Sequence, residues 1–186
     1  LPHEHLLWDQ LGSWEHPLPR ELWKKDRYMQ PVQLSNRGDV VYHNFDYWDN
    51  LFQRDINVAI SEAKRFAYAG GGTICDMSTA SLGRDPEALY QISIETGLNI
   101  IMGASFYVAA SWNEEERKMK AGDIKRLLKD EFLHGVTRQK IKPGILGEVG
   151  VSRIDNELEI ESLKGSAMTQ KEVGCPILVH TPIWEK

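Results

Sequence analysis

The sequence predicts an α/β fold in which helices cover a sheet of parallel strands. Three observations support this class. Short apolar runs alternate with helical segments, Gly or Pro stands at most boundaries between them, and the apolar runs are typical of strands buried on both faces. An open doubly wound sheet and a (β/α)8 barrel both fit this alternation, because periodicity does not distinguish them.

Five short segments are predicted to be the strands of this sheet. The last four are largely apolar, whereas the first is the segment that contains His3 and His5. The predicted strands are residues 2–6, 73–77, 98–103, 143–148 and 176–180.

Four helices are predicted to connect or follow these strands. Apolar residues recur near a 3.6-residue period in the first segment, the third has an apolar stripe, and Pro86 suits the first turn of the second. Glycines at positions 70, 97 and 174 mark helix ends. The predicted helices are residues 49–69, 86–96, about 123–134 and about 157–173.

Residues 9–45 are predicted to form a long irregular connection. The stretch is rich in aromatic residues and proline and has no clear period. Long connections of this kind are usually functional or poorly ordered. We interpret its two histidines, His16 and His43, as surface or loop residues rather than metal ligands.

Composition excludes several classes of protein. With 186 residues, the chain is long enough for one sizeable core. A net charge of -5 and the absence of a basic run argue against a nucleic-acid partner. We expect no membrane partner, since no apolar stretch has the length of a membrane span and no signal-peptide pattern is present. Cys75 and Cys175 lie in apolar runs, which predicts buried, reduced thiols and a cytoplasmic location.

The strongest functional signal is a set of polar residues at the carboxyl ends of predicted strands. His3 and His5 share one face of the first strand because they are two positions apart. Glu148 and His180 end two later strands, and enzymes of the α/β class gather their chemistry at these ends. Imidazole and carboxylate ligands suit zinc or a similar divalent ion. Asp76 is interpreted as a packing carboxylate or one that supports the ligands.

Glu148 is the most informative member of this set. A charged carboxylate within an apolar strand costs several kcal/mol unless it is paired or coordinated. Two interpretations remain open from the residues alone: metal ligation, which we favour, and a salt bridge to a nearby Lys or Arg.

Five stretches, in order through nearly the whole sequence, together carry a resemblance to a known family. They are LPHEHL at 1–6, GGGTICDMSTASLGRDP at 70–86, TGLNIIMGASFY at 96–107, KPGILGEVG at 142–150 and GCPILVHT at 174–181. Together they resemble the phosphotriesterase family of the amidohydrolase superfamily. Glu148 makes the resemblance closest to the phosphotriesterase-related branch, since phosphotriesterase proper has a carbamylated lysine there.

This resemblance implies a (β/α)8 TIM barrel and a site holding two divalent metal ions, with zinc expected. His3 and His5 would hold the more buried ion, Glu148 would bridge both ions as a catalytic carboxylate, and His180 would hold the exposed ion. Tyr107 matches an aromatic position beside the metals that contacts substrate or the bridging hydroxide. The matching loop also contains Arg84 and Asp85, to which we assign no catalytic role.

The family also places a metal-binding histidine on the sixth barrel strand and a proton-shuttling aspartate on the eighth. Neither has a counterpart in this sequence, in which five of eight βα units are recognisable. A complete barrel has about 250 residues. We therefore expect one metal-dependent hydrolase domain over residues 1–186, corresponding to the N-terminal two-thirds of an incomplete barrel.

The function implied by the resemblance is hydrolysis of a small ester, lactone or amide by a metal-bridging hydroxide. Phosphotriester hydrolysis is a second hypothesis, which the Glu148 position makes less favourable. A catalytically inactive fragment or binding module is a third, because the ligand set is incomplete. The partner would be a small-molecule substrate, and the family resemblance is compatible with a homodimer.

Overall fold

The structure of the chain, a computed structural model, describes residues 1–11 and 22–182. Within these ranges, four parallel strands form a curled half-barrel in chain order. A short antiparallel pair, β1 (Trp8–Asp9) and β2 (Phe52–Gln53), lies outside this sheet. The parallel strands are β3 (Thr73–Asp76), β4 (Asn99–Ala104), β5 (Ile145–Gly150) and β6 (Ile177–His180).

Helices connect the parallel strands, as the α/β class predicts. Helix α4 (Pro86–Thr96) packs on β4 and α6 (Glu157–Val173) packs on β5, while α3 (Ile56–Tyr68) contacts α4 and α5 (Ala121–His134) contacts α6. The bounds of the remaining described helices are α1 (Leu22–Tyr28) and α2 (Arg37–Tyr42).

The strand predicted over residues 2–6 is not formed over that whole range. The backbone of residues 1–4 lies beside β3, and Glu4 makes an isolated parallel bridge to Asp76. The strand does not continue to residue 6, because the Leu6 N–H donates 2.7 Å to the Asp76 side chain instead of to a strand. The segment still occupies the position of a first barrel strand.

The helix predicted over residues 49–69 is shorter in the structure. Residues 48–50 form a 3₁₀ turn and β2 follows, so α3 begins only at Ile56. The Asp55 side chain accepts hydrogen bonds from the Asn57 and Val58 amides, which fixes the start of the helix.

The connection predicted to be irregular contains two short helices, α1 and α2. Its residues 12–21, including His16, lie outside the described residues, whereas His43 is surface-exposed as interpreted. A polar cluster organises the second part, in which Asp39 pairs with Arg27 and accepts a hydrogen bond from the Tyr47 hydroxyl. This local pairing carries no sequence period, which explains why the helices were missed.

Two large apolar clusters and a third, smaller one form the core of the described residues. One lies under α3 and α4 and includes Ile74 and Ile92, while the other lies under α5 and includes Ile124 and Leu146. Cys75 and Cys175 are unpaired and only partly buried, so the expectation of fully buried thiols is wrong. Among the described residues, no helix combines the length and the apolar character needed to cross a membrane.

Candidate metal centre

Three of the predicted ligands converge on one point although they come from distant parts of the chain. The Nε2 atoms of His3 and His5 lie 3.3 Å apart. His3 Nε2 lies 3.4 Å from Glu148 Oε2, and His5 Nε2 lies 3.3 Å from Glu148 Oε1. The Glu148 side chain is only 2% exposed, whereas both imidazoles reach solvent. These three residues could therefore hold a metal ion.

The spacing of the three residues fits a divalent ion. Ligand atoms at about 2.0–2.2 Å from zinc in tetrahedral geometry lie roughly 3.3–3.6 Å from one another. The measured separations of 3.3–3.4 Å among His3, His5 and Glu148 agree with that range. Imidazole and carboxylate are also the donor types that zinc prefers among nitrogen and oxygen ligands.

His180 and Tyr107 extend the cluster beyond Glu148. His180 Nδ1 lies 2.9 Å from Glu148 Oε2, the oxygen that also faces His3. The Tyr107 hydroxyl lies 3.4 Å from His180 Nε2, and the two rings meet edge to face at 5.0 Å. The Glu148 carboxylate is therefore contacted by three imidazoles, with His5 at Oε1 and with His3 and His180 at Oε2.

The strand ends explain this convergence. His180 is the last residue of β6 and pairs with Gly150, the last residue of β5. The β5–β6 pairing is interrupted between Leu146 and Val149, on either side of Glu148. Such irregularities re-aim side chains and are common near active sites. The carboxyl ends of parallel strands thus present the candidate ligands at one edge.

A hydroxyl group fixes the tautomer of His5. The Ser78 hydroxyl has one proton, which it donates to the Leu7 carbonyl at 2.9 Å. It must therefore accept the Nδ1–H of His5, 3.0 Å away. The lone pair of neutral His5 is then on Nε2, the nitrogen that faces Glu148.

Asp76 holds the segment that contains His5 through hydrogen bonds to backbone amides. It is fully buried and accepts hydrogen bonds from the Leu6 and Ser78 amides, at 2.7 and 3.0 Å. Burial raises the pKa of Asp76 although these amide hydrogen bonds lower it. Asp76 therefore tethers both the His5 segment and Ser78, in agreement with its interpretation as a supporting carboxylate.

The charges of the cluster act in opposite directions on Glu148 and Tyr107. Burial alone would raise the pKa of Glu148, but the hydrogen bonds and charges of His180 and His5 outweigh it and lower the pKa to about 2. Burial and the charge of Glu148 raise the pKa of Tyr107 to about 12. At neutral pH the site therefore contains a carboxylate anion beside a protonated phenol.

Ser78→Ala is expected to weaken zinc binding about 10- to 100-fold, because residues that orient a ligating histidine typically contribute that much. Chelator competition on the purified protein measures the affinity. Ser93→Ala is the matched control, since the Ser93 hydroxyl donates to the Leu98 carbonyl, away from the site. Equal zinc affinity in the Ser78 variant and wild type would contradict the orienting role.

Arg84 and Asp85 stabilise the fold instead of entering the cluster. Arg84 makes two hydrogen bonds of 2.8 and 3.0 Å to Glu131 and one of 3.1 Å to the Gly103 carbonyl. Asp85 caps α4 by accepting the Ala88 amide. Sequence reasoning missed Ser78, for which the only available signal was a hydroxyl residue directly after the strand that contains Asp76.

The fold and the cluster together define an α/β half-barrel with a candidate metal centre at the carboxyl ends of its strands. The model of the phosphotriesterase family matches residues 1–185, and the chain belongs to that family. The resemblance inferred from the five sequence stretches is thus confirmed.

Known proteins with related sequences and structures agree with this assignment. The chain is 33% identical over 182 residues to the human (Homo sapiens) N-acetyltaurine hydrolase. This match covers 97% of the chain and 51% of that protein. A resiniferatoxin-binding protein from Rhodobacter sphaeroides superposes with a TM-score of 0.92 at 34% identity, over 100% of this chain and 51% of that one. A mutant of a phosphotriesterase-like lactonase from Deinococcus radiodurans shares the fold, with a TM-score of 0.69 at 22% identity over 98% and 50%.

The matches also show how much of the related proteins' length this chain covers. The chain spans about half the length of the curated relatives it matches. The curled parallel sheet agrees with part of a TIM barrel.

Proposed function

We propose that the protein is a metal-dependent hydrolase that cleaves a small amide, ester or lactone. The observation that carries the proposal is Glu148, a 2% exposed carboxylate between three imidazoles at the strand ends. Among the described residues, its ion-pair partners are His3, His5 and His180, so the alternative of a Lys or Arg salt bridge has no support there.

Two divalent ions, with zinc expected, are assigned to this centre. His3 and His5 would hold one ion, His180 would hold the other, and Glu148 would be a ligand to both. When bound, the ions supply Lewis acidity, which lowers the pKa of coordinated water and polarises the scissile bond.

Tyr107 supplies a neutral hydroxyl group at the edge of the centre. Its pKa of about 12 keeps the phenol protonated at neutral pH, so the hydroxyl can donate to a substrate oxygen. The hydroxyl lies 3.4 Å from His180 Nε2, so in this proposal the donor would be close to the ion that His180 holds. We therefore assign Tyr107 to substrate binding.

Amide cleavage is the first reaction to test. N-Acetyltaurine hydrolase is the name of the relative at 33% identity, while the lactonase is related only through the fold. Phosphotriester hydrolysis is the second candidate, and a catalytically inactive binding module is the candidate of another class.

The wider assignments follow from the family and from composition. In this proposal the chain is the N-terminal part of one metal-dependent barrel domain, whose further histidine and aspartate would come from the sixth and eighth strands. A homodimer, the lack of nucleic-acid and membrane partners, and a cytoplasmic location are predictions that accompany it.

The test combines metal analysis with hydrolysis in the full-length natural protein. The zinc-reconstituted wild type is expected to hold close to two ions and to hydrolyse N-acetyltaurine or a simple lactone faster than a phosphotriester. His180→Ala is expected to lose about one ion and at least about 100-fold in turnover, because it removes a direct ligand. Elemental analysis and a three-substrate assay measure both outcomes.

His134→Ala is the matched control for this experiment. His134 ends α5, its side chain is 72% exposed and it pairs only loosely with Asp130, at 3.8 Å. This variant should retain the metal content and turnover of wild type. Metal content near zero in reconstituted wild type would refute the metal centre, and full metal content without hydrolysis of any probe would favour the binding module.

A further inference from the structure

We propose that Glu159 is a positioning residue that holds Tyr107 in place beside the metal centre. The inference rests on the proposed function, because it assigns a purpose to the Tyr107 hydroxyl. Glu159 lies outside the cluster and outside the family stretches recognised in the sequence, and its acidic position in the first turn of α6 predicts an exposed side chain.

In the structure Glu159 is fully buried. Within the described residues, its carboxylate accepts four hydrogen bonds. Oε1 accepts from the Ala109 amide and the Ser152 hydroxyl, both at 2.8 Å. Oε2 accepts from the amides of Ser152 at 2.7 Å and Arg153 at 3.2 Å. Glu159 thereby joins the loop that follows β4 to the loop that follows β5.

Tyr107 lies in the first of these loops, two residues before Ala109. The loop is fixed from a second direction by the Trp112 indole, whose N–H donates 2.7 Å to the Tyr107 carbonyl. Trp112 itself is 4% exposed and packs against Phe106. The backbone of Tyr107 is therefore held between a buried indole and a buried carboxylate.

A third attachment comes from the loop that follows β3. The Ser111 hydroxyl donates to the Val108 carbonyl at 2.9 Å, so it must accept from Ser81, which is also at 2.9 Å. Ser81 in turn accepts from Thr79 at 3.2 Å. This oriented chain of hydroxyls ties the loop to the loop that follows β3.

The two acceptor oxygens of the Glu159 side chain match the donors around them. Three amides and one hydroxyl point at its two oxygens, with two donors on each. A glutamine would replace one oxygen with an NH₂ group, which is itself a donor. Glu159→Gln therefore places an NH₂ group where two of these donors need an acceptor, and the Tyr107 loop is expected to move away if the displaced donor is the buried Ala109 amide.

The decisive measurement is the ring signal of Tyr107 in ¹³C-tyrosine-labelled full-length protein, assigned by its loss in Tyr107→Phe. Glu159→Gln is expected to shift or broaden this signal. Glu157→Gln, an exposed change two residues earlier on the same helix, is expected to leave it unchanged. A Tyr107 signal that stays in place in Glu159→Gln overturns the proposal, whatever the stability of the variant.

Kinetics supply the second readout, with N-acetyltaurine and a simple lactone as probes. Glu159→Gln is expected to lower kcat about 10- to 100-fold, since small misplacements of a site group cost about that much. In the Tyr107→Phe background the same change should cost little, because the hydroxyl it positions is absent. Equal losses in both backgrounds would show a general structural role and refute the positioning.

Two further experiments distinguish a failure of this proposal from a failure to fold and from a failure of the proposed function. If Glu159→Gln does not fold, Glu159→Asp, which keeps the charge but shortens the reach, is tested in the same way and should shift the Tyr107 signal. If wild type hydrolyses none of the probes, the proposed function fails, while the Tyr107 signal still decides whether Glu159 positions that ring.

Discussion

Glu148→Gln is expected to lower zinc affinity and turnover by at least about 100-fold each. Residues that only orient a ligand contribute about 10- to 100-fold to metal affinity, and a direct ligand shared by two ions should contribute more. Glutamine keeps the shape of the side chain but loses the charge that His5 and His180 face. Chelator competition and steady-state kinetics in the full-length protein measure the two effects.

The metal-free form of the same variant gives an independent check through its pH dependence. The pKa of Glu148 is about 2, below its ordinary value of 4.5. A lowered pKa in the folded state stabilises the protein above pH 4.5, and this stabilisation is lost as the pH falls towards 2. Metal-free Glu148→Gln should lack this component of the unfolding free energy.

Glu95→Gln serves as the control, since Glu95 is exposed on α4 and far from the strand ends. It should bind zinc, turn over substrate and unfold with acid as wild type does. Wild-type hydrolysis by Glu148→Gln would remove the bridging assignment and leave His3 and His5 as the core of a simpler site.

Much of the fold could be predicted because its signals are local. The ends of α4 and α6 were predicted from Gly97 and Gly174, which have positive φ angles of 71° and 74° that glycine adopts without strain. The apolar runs predicted β3 to β6 within two residues at each end. The start of α3 was missed because a cap at Asp55 outweighed an apolar period that began earlier.

The candidate ligands were predictable, whereas the residues that hold them were not. His3, His5, Glu148 and His180 carry chemical types that stand out at strand ends. Their supports do not stand out, since Ser78 resembles any loop serine. Glu159 resembles an ordinary acidic residue at a helix start, and its burial depends on Ala109, which is 50 positions away. Such contacts become visible only when the strands and loops are assembled in space.

Gly150→Ala is expected to reduce turnover about 100-fold and to destabilise the protein by about 2 kcal/mol. A Cβ atom at this position would lie 2.2 Å from both the Tyr107 carbonyl carbon and the Val108 nitrogen. These are backbone atoms, so no rotation of a flexible side chain can relieve the clash. The loop after β4 would have to move, since β5 is paired with neighbours on both sides.

The displacement would reach Tyr107 directly while leaving the metal ligands in place. Gly150 donates 2.9 Å to the Phe106 carbonyl, and this hydrogen bond would be strained by the same movement. We therefore expect zinc content near that of wild type, together with a lower kcat and a shifted Tyr107 signal. Gly122→Ala is the matched control, because a Cβ there meets no atom within 4 Å and alanine favours its helix. Full turnover in Gly150→Ala would mean that the close approach of β5 to the Tyr107 backbone has no part in catalysis.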